Sequence, residues 1–410
     1  MRFIHYYSLL LLSILCMSSC DPVRELPVIL TNPLDTSWEN AQILIPRKFL
    51  EKRLGTVEPE NRLIVRKGGQ QIPSQMDDLD MDGKWDELAL VMNFEARESI
   101  EVEIAVRPTA ERESYPPSTH LHLGKNRGGT YETISSADRL SSTDTEAALA
   151  AFQFEGPGWE NEMVGFRNYL DARNGIDIFG KLTEEMVLEQ VGATLRYDSL
   201  QNWGMDILKV GNSLGAGAIA LQKNDQLYRV SAEKSHATLL ASGPVRAILE
   251  LSFSGMQVEE TVYALTHQIQ IWKGQPGYTA KVKIAPYVND VYLVAGIVNM
   301  DSTSLHLGAT EQAIYGYTHA PQTINREMLG MGILTAEPDF KTTLTTKDEG
   351  EGIIQTHGMV LFLKEEEATS YHFLTAWEKR DSLFAEQEVF HTLLKKEAEK
   401  VNTLIEVNWK

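Results

Sequence analysis

Residues 245–298 read VRAILELSFSGMQVEETVYALTHQIQIWKGQPGYTAKVKIAPYVNDVYLVAGIV. The segments 245–253, 259–263, 268–272, 280–284 and 291–298 are strand-length, rich in β-branched and aromatic residues, and separated by Gly, Pro, Asn and Asp. A meander at this spacing predicts large antiparallel sheets packed face to face. Strand-like runs continue on both sides, from 150 to 374. Nearer the N-terminus, 24–30, 41–45, 62–65, 87–94 and 99–106 predict a small antiparallel sandwich. Between the two, 108–141 is poor in large aliphatics and holds Pro116-Pro117 and Gly128-Gly129, the composition of a boundary. One helix is expected, between Asp381 and Asn402, where Leu383, Phe384, Phe390, Leu393, Leu394 and Val401 recur at helical spacing. The expected organisation is all-β: a signal segment at 1–20, a small β-sandwich at 21–115, a linker at 116–149, and a main domain of large antiparallel sheets at 150–410 ending in the helix.

Composition narrows the function. With 410 residues, 43% of them apolar, and a net charge of −19, the chain is ordinary globular material without the basic surface that phosphate recognition requires. An anionic small substrate is not excluded, because a few cations in one cleft set the local field. Arg2 and His5 precede an apolar run, 6–17, too short for a bilayer anchor but suited to a signal core. It ends in Met17-Ser18-Ser19-Cys20, which fits a lipobox. Cys20 is the expected lipidation site, and the expected location is outside the cytoplasm, lipid-anchored to a bacterial membrane at the periplasmic or surface side; the alternative is a plain signal peptide with an incidental cysteine. Cys16 falls in the removed segment, so the mature chain has no disulfide pair.

The chemistry concentrates in 158–221. There W-E-N-E-x-x-x-F-R-x-Y, I-D-I-F-G-K and W-G-M-D-I-L-K bring aromatic and polar residues together, the mixture of a sugar site. Trp159, Tyr169 and Trp203 could stack on apolar ring faces, while Glu160, Asn161, Arg167, Lys181, Asp206 and Lys209 supply directional hydrogen bonds. Each also reads as an ordinary sandwich residue. Trp377, after Tyr371-His372-Phe373, is a candidate second wall or simply a strand end. Separately, Asp78-Leu79-Asp80-Met81-Asp82-Gly83 followed by Asp86 spaces carboxylates as a short loop would to hold Ca2+. It is not an EF-hand, since the twelfth position from Asp78 is Ala89; the alternative is a solvated acidic turn. No G-x-S-x-G, H-E-x-x-H, phosphate-loop or C-x-x-C motif is present. The histidines His267, His306, His319, His357 and His372 read individually as structural.

The run 69–88, then Trp159-Glu160-Asn161 with Phe166-Arg167, then 175–181, 206–217, Ser242-Gly243-Pro244-Val245-Arg246 and 294–298 together resemble one family, the bacterial lipoproteins called domain of unknown function 4861, from polysaccharide-degradation loci. The resemblance implies a galactose-mutarotase-like super-sandwich behind a small β-domain, and glycan chemistry. It further implies an oligosaccharide dehydratase that forms a C4–C5 double bond in a terminal uronic acid. That reaction needs a cation for the carboxylate, a base at C5 and an acid for the C4 hydroxyl. Arg167 suits the first role, and Tyr169 lies two residues on, on the same strand face. Asp206 and Lys209 are further candidates that need a bend to converge. The family pattern often carries a histidine where this chain has Asp198, after Tyr197; if that histidine is the family's base, this chain is altered or uses another group. Two other readings are a non-catalytic glycan-binding lipoprotein with Trp159, Trp203 and Trp377 as platforms, and a mutarotase or epimerase with a carboxylate and a histidine about the anomeric carbon. The preferred partner is a uronic-acid-containing oligosaccharide, with no nucleic acid and with membrane contact through the lipid alone.

Overall fold

A computed structural model describes residues 24–139, 149–232 and 234–410. The expected signal segment, residues 1–20 with Cys16 and Cys20, lies outside them. The larger body is built on a nine-stranded antiparallel sheet whose spatial order is Ser136–Asp138, Lys234–Ser242, Arg246–Val258, Thr261–Trp272, Gly277–Ala285, Thr369–Trp377, Leu329–Ala336, Ala313–Ala320 and His306–Ala309. Two five-stranded sheets share its core. The first runs Gly204–Asp206, Ile176–Lys181, Val164–Asn168, Gly158–Asn161, Thr119–His122; the second runs Gln226–Arg229, Ala216–Lys223, Tyr292–Val298, Thr356–Phe362, Phe340–Thr345. Leu249, Leu251 and Phe373 from the large sheet, Trp159 and Phe166 from the first, and Ile219 and Val294 from the second belong to one buried cluster. At its centre the rings of Trp159 and Phe166 stack at 5.6 Å, and Tyr278 meets Phe166 edge-on at 5.1 Å. The all-β super-sandwich expected from the sequence is the observed architecture.

The meander differs in detail. Residues 259–263 and 268–272 are two parts of one strand, Thr261–Trp272, because Tyr263, Leu265, His267 and Ile269 alternate inward with the more polar positions between them. The segment after Pro286, which cannot donate to a ladder, leaves the large sheet, and Tyr292–Val298 pairs in the second five-stranded sheet instead.

The small sandwich packs the sheet Glu406–Trp409, Glu25–Thr31, Ser99–Pro108, Asn61–Lys67, Gln70–Ile72 against Trp38–Pro46, Glu87–Phe94, Ser74–Asp77 around Val28, Leu30, Ile43, Leu88 and Ile104. Its first strand in the spatial order comes from the other end of the chain: Val407 pairs with Leu30, and Val407 and Trp409 pack on the same core. The expected boundary at 150–410 therefore differs from the observed one. The expected linker differs too, since Thr119–His122 and Ser136–Asp138 are edge strands of two main sheets. A helix over Arg47–Leu54, burying Leu50 and Leu54, was not legible. The C-terminal helix is Gln387–Ala398, after a 3-10 turn at Ser382–Ala385. It seats Phe390 and Leu394 where Gly330 and Gly332 leave room; a Cβ there would lie 2.5 Å and 2.6 Å from those side chains. Leu383, expected in its apolar stripe, is 61% exposed. Among the described residues no helix is long and apolar enough to cross a membrane.

Candidate functional site

Strand alternation divides the first five-stranded sheet sharply. Trp159, Phe166 and Ile178 enter the core. By register the opposite face carries His122, Gly158, Arg167 and Asp177 in one row and His120, Glu160, Gly165, Phe179 and Asp206 in the next. That second face is polar yet buried, because residues 182–203 lie over it. Val187, Leu188, Val191 and Trp203 of this cover pack with Phe154 and Phe179. Glu160 Oε1 pins the cover by accepting from Val187 N at 2.7 Å and Leu188 N at 2.8 Å. Its other oxygen takes Lys181 Nζ at 2.6 Å, and Lys181 also donates to Asn161 O at 2.7 Å. Burial pushes the Glu160 carboxyl up and the Lys181 amine down, and each charge opposes the other's shift.

Arg167 is the hub of the row. It donates to Asp177 Oδ2 from Nε and Nη2 at 3.1 and 2.7 Å, and from Nη2 to Asp206 Oδ2 at 2.6 Å and Tyr169 Oη at 3.2 Å. Tyr169 in turn donates to Asp177 Oδ2 at 2.5 Å, with the Arg173 guanidinium 3.9 Å from its ring centre. Arg167 Nη1 makes no hydrogen bond among the described residues and lies 3.7 Å from Glu155 Oε1. Burial works against the Arg167 charge, but Asp177, Asp206 and their neighbours outweigh it and hold the guanidinium protonated. Burial, followed by the Asp177 charge, pushes the Asp206 carboxyl well above the usual carboxylate range despite Arg167. Burial does the same to the Tyr169 phenol, which stays a neutral donor.

A stability prediction follows from Asp206. The folded protein retains a proton that the unfolded chain releases near the ordinary value of 3.8, so this group's contribution falls as pH rises from there through the folded pKa. Asp206→Asn, which cannot titrate, is expected to flatten that decline. Denaturant midpoints between pH 4 and 8 measure it; an unchanged pH slope would count against a retained proton.

Above the row the cover forms a cavity of about 310 Å3 lined by residues 192–198. Tyr197 joins cavity to network: it is half-buried, its ring centre is 5.4 Å from the Arg167 guanidinium carbon, and its carbonyl accepts from Asp206 N at 2.9 Å. Burial raises the Tyr197 phenol, partly offset by Arg167. Arg196 forks onto Asp198 at 3.1 and 3.0 Å, both side chains well exposed, and this contact holds the Asp198 carboxyl below its usual value. A second cavity, about 600 Å3, lies beside the nine-stranded sheet, where His236 Nδ1 meets Asp138 Oδ1 at 2.8 Å near Lys283 and residues 365–367.

A family model described as Domain of unknown function (DUF4861) matches residues 30–407. The chain belongs to this family. No curated protein matches it in sequence. Among solved structures, an alpha-mannosidase from Enterococcus faecalis V583 is similar at 10% identity and TM-score 0.46, with 94% of this chain and 46% of that one covered. A glycosyl hydrolase family 38 protein from Enterococcus faecalis is similar at 8% and 0.42, with 94% and 47% covered. The chain spans about half the length of either.

In this DUF4861 protein the residues expected to bind sugar are distributed unevenly. Arg167, Tyr169 and Asp206 come together, as the same-face argument anticipates for the first two. Lys209 is exposed and makes no side-chain hydrogen bond among the described residues. Trp159 is fully buried on the core face, Trp203 is 5% exposed within the cover with Nε1 donating to Arg196 O, and Trp377 is 4% exposed against Gly180. None of these three rings has a free face for a sugar. Asn161 uses its amide on Trp272 O and Gln275 O and its oxygen on Met163 N and Val164 N, which makes it the anchor of a hairpin. Glu160 and Lys181 are likewise engaged with each other. In the acidic loop, Asp78, Asp80 and Asp86 bring carboxylate oxygens within 4.8 Å of one another and could hold a hard cation. Asp82 stands outside that group, accepting from Lys84 N at 2.8 Å. Sequence reasoning missed Asp177, Arg196 and the pair His120 and His122. The histidines' i, i+2 spacing was the available signal.

Proposed function

We propose that this protein is an exported enzyme, anchored through Cys20, that eliminates water across C4–C5 of a uronic acid residue at the end of an oligosaccharide. The observation that carries this is the cavity at 192–198, which brings an exposed Arg196 fork, the Asp198 carboxylate and the Tyr197 phenol to one space of ligand-binding size. Arg167 is committed to Asp177 and Asp206, so the carboxylate-binding role passes to Arg196. Its present partner is solvent-exposed and therefore held weakly. When the substrate carboxylate takes the fork, Asp198 is released from the cation that depresses its pKa and becomes the better base. Asp198 then accepts the C5 proton, the C4–O bond breaks as C4=C5 forms, and the Tyr197 hydroxyl protonates the leaving oxygen, giving water. The proton on Asp198 returns through solvent to the Tyr197 phenolate. Asp198 occupies the place where the family pattern has a histidine, which suits a substituted base.

Incubation with a panel of uronic-acid oligosaccharides tests this. The expected result is new ultraviolet absorbance of an unsaturated uronate with loss of one water by mass. Arg196→Ala and Tyr197→Phe are each expected to slow it by about a hundredfold at unchanged melting temperature. Chain cleavage with the same absorbance would make the enzyme a lyase, and no product from any uronate would defeat the proposal.

The His236–Asp138 pair favours one other reading. A carboxylate-oriented histidine in the larger cavity is an acid–base unit suited to mutarotation or epimerisation. Anomer exchange followed by NMR, lost in His236→Gln, would select it.

A further inference from the structure

The edge strand Thr119–His122 carries His120 and His122 two residues apart on one face, in register with Glu160 and Gly158 of the next strand. Gln153 fixes the tautomer of one of them. Its amide nitrogen, with two N–H groups, faces three carbonyls, Leu188 O at 3.1 Å, Glu189 O at 3.2 Å and Val191 O at 2.6 Å, one N–H being shared between two of them. Its oxygen must therefore face His122 Nε2, 2.8 Å away, and accept a hydrogen bond from its N–H. His122 Nδ1 is left as an unprotonated lone pair, buried and without a hydrogen-bond partner among the described residues. His120 Nε2 is also buried and without a hydrogen-bond partner among the described residues; Glu189 Oε1 lies 3.8 Å away. Two orphaned imidazole nitrogens side by side are costly unless something else satisfies them.

We propose that His120, His122 and Glu189 bind a divalent first-row transition ion. One ring nitrogen from each histidine and one Glu189 oxygen lie within 4.8 Å of one another. Ligands about 2.0–2.1 Å from zinc stand roughly 3.3 Å apart in a tetrahedron, so the group must close by up to about 1.5 Å. Glu189 can supply that movement, because its side chain is 63% exposed. Two imidazoles with one carboxylate form a donor set for zinc or its neighbours rather than for calcium or magnesium. Gln153 orients His122 as an outer-shell carbonyl commonly orients a metal-bound histidine. Three protein ligands leave a fourth position on the exposed side of Glu189, the arrangement of a reactive rather than a closed site. Gly158 pairs with His122 on one side and Arg167 on the other, which sets His122 two strands, about 10 Å, from Arg167 along the same row.

Chelator-stripped protein titrated with ZnCl2 by calorimetry, and with Co2+ by visible absorption, tests the assignment. The expected result is one ion per chain, a raised melting temperature, and a Co2+ spectrum of nitrogen and oxygen ligation. Glu189→Ala, a change at an exposed side chain, is expected to weaken binding by about tenfold or more without lowering the metal-free melting temperature. His120→Ala should abolish binding, and Asp78→Asn should leave it intact. Absence of binding, binding unchanged in both Glu189→Ala and His120→Ala, or binding lost in Asp78→Asn would each overturn the site.

Discussion

Arg167→Ala is expected to lower folding stability by about 3–5 kcal/mol, the usual effect of removing one partner from a buried charge network. The guanidinium is 4% exposed as a residue and makes close contacts to two carboxylates and a phenol. Without it Asp177 and Asp206 face each other with no cation between them, beneath the cover. Asp206 moderates the loss, since its carboxyl is already pushed toward the protonated form. Asp206→Asn in the Arg167→Ala background should therefore recover part of the stability, so the two changes are not additive. Chemical denaturation of the two single variants and the double variant measures this coupling. A loss below about 1 kcal/mol would mean that the network is solvated rather than buried. Loss of activity in Arg167→Ala would accordingly not mark a substrate-binding residue, whereas loss in Arg196→Ala at full stability would.

How much of this was legible follows from distance along the chain. The sheet architecture was, because alternation and turn spacing are local. That Arg167 and Tyr169 share a face was legible as well, from two-residue periodicity. What period two does not reveal is which face is the core: Trp159 faces the nine-stranded sheet, while Arg167 faces the cover. Nor does it reveal that the Arg167 fork is occupied by Asp177 and Asp206, ten and thirty-nine positions away. His120 and His122 lay in a segment whose prolines and glycines read as a linker. Only the partner strand Gly158–Asn161 turns that segment into an edge. Lys209, three residues past Asp206, needed a bulge that the chain does not make toward Arg167. The closing strand Glu406–Trp409 was hidden by its separation along the chain: it completes a sheet whose neighbouring strand begins at Glu25.

A second large effect is expected at the seam between the two sandwiches. Arg246 has a fully buried side chain at the start of a strand of the large sheet, yet its partners come from the small domain: Nε donates to Asp77 Oδ2 at 2.7 Å and Nη2 to Glu87 Oε1 at 2.5 Å. Gln75 Nε2 donates to Arg246 O at 3.1 Å and to Asp77 Oδ1 at 2.6 Å, and the guanidinium lies 5.1 Å from the Trp272 ring centre. Ala89 of the small domain packs with Val245 and Trp272 beside it. Arg246→Met keeps the volume and removes the charge, so about 3–5 kcal/mol should be lost and the two sandwiches should unfold less cooperatively. The loss should depend on pH. Burial already pushes the Asp77 carboxyl up, and Arg246 is the main force pulling it back. Without that cation the folded pKa rises further, so the variant loses stability as pH climbs from the unfolded value of 3.8 toward neutrality. The difference from the parent protein should thus be small near pH 4 and large near pH 7. Calorimetric scans at both pH values would show it as a widening gap in melting temperature, with a split transition at the higher pH. Equal gaps at the two values would mean that Asp77 is not held ionised by Arg246, and that apolar packing alone joins the domains.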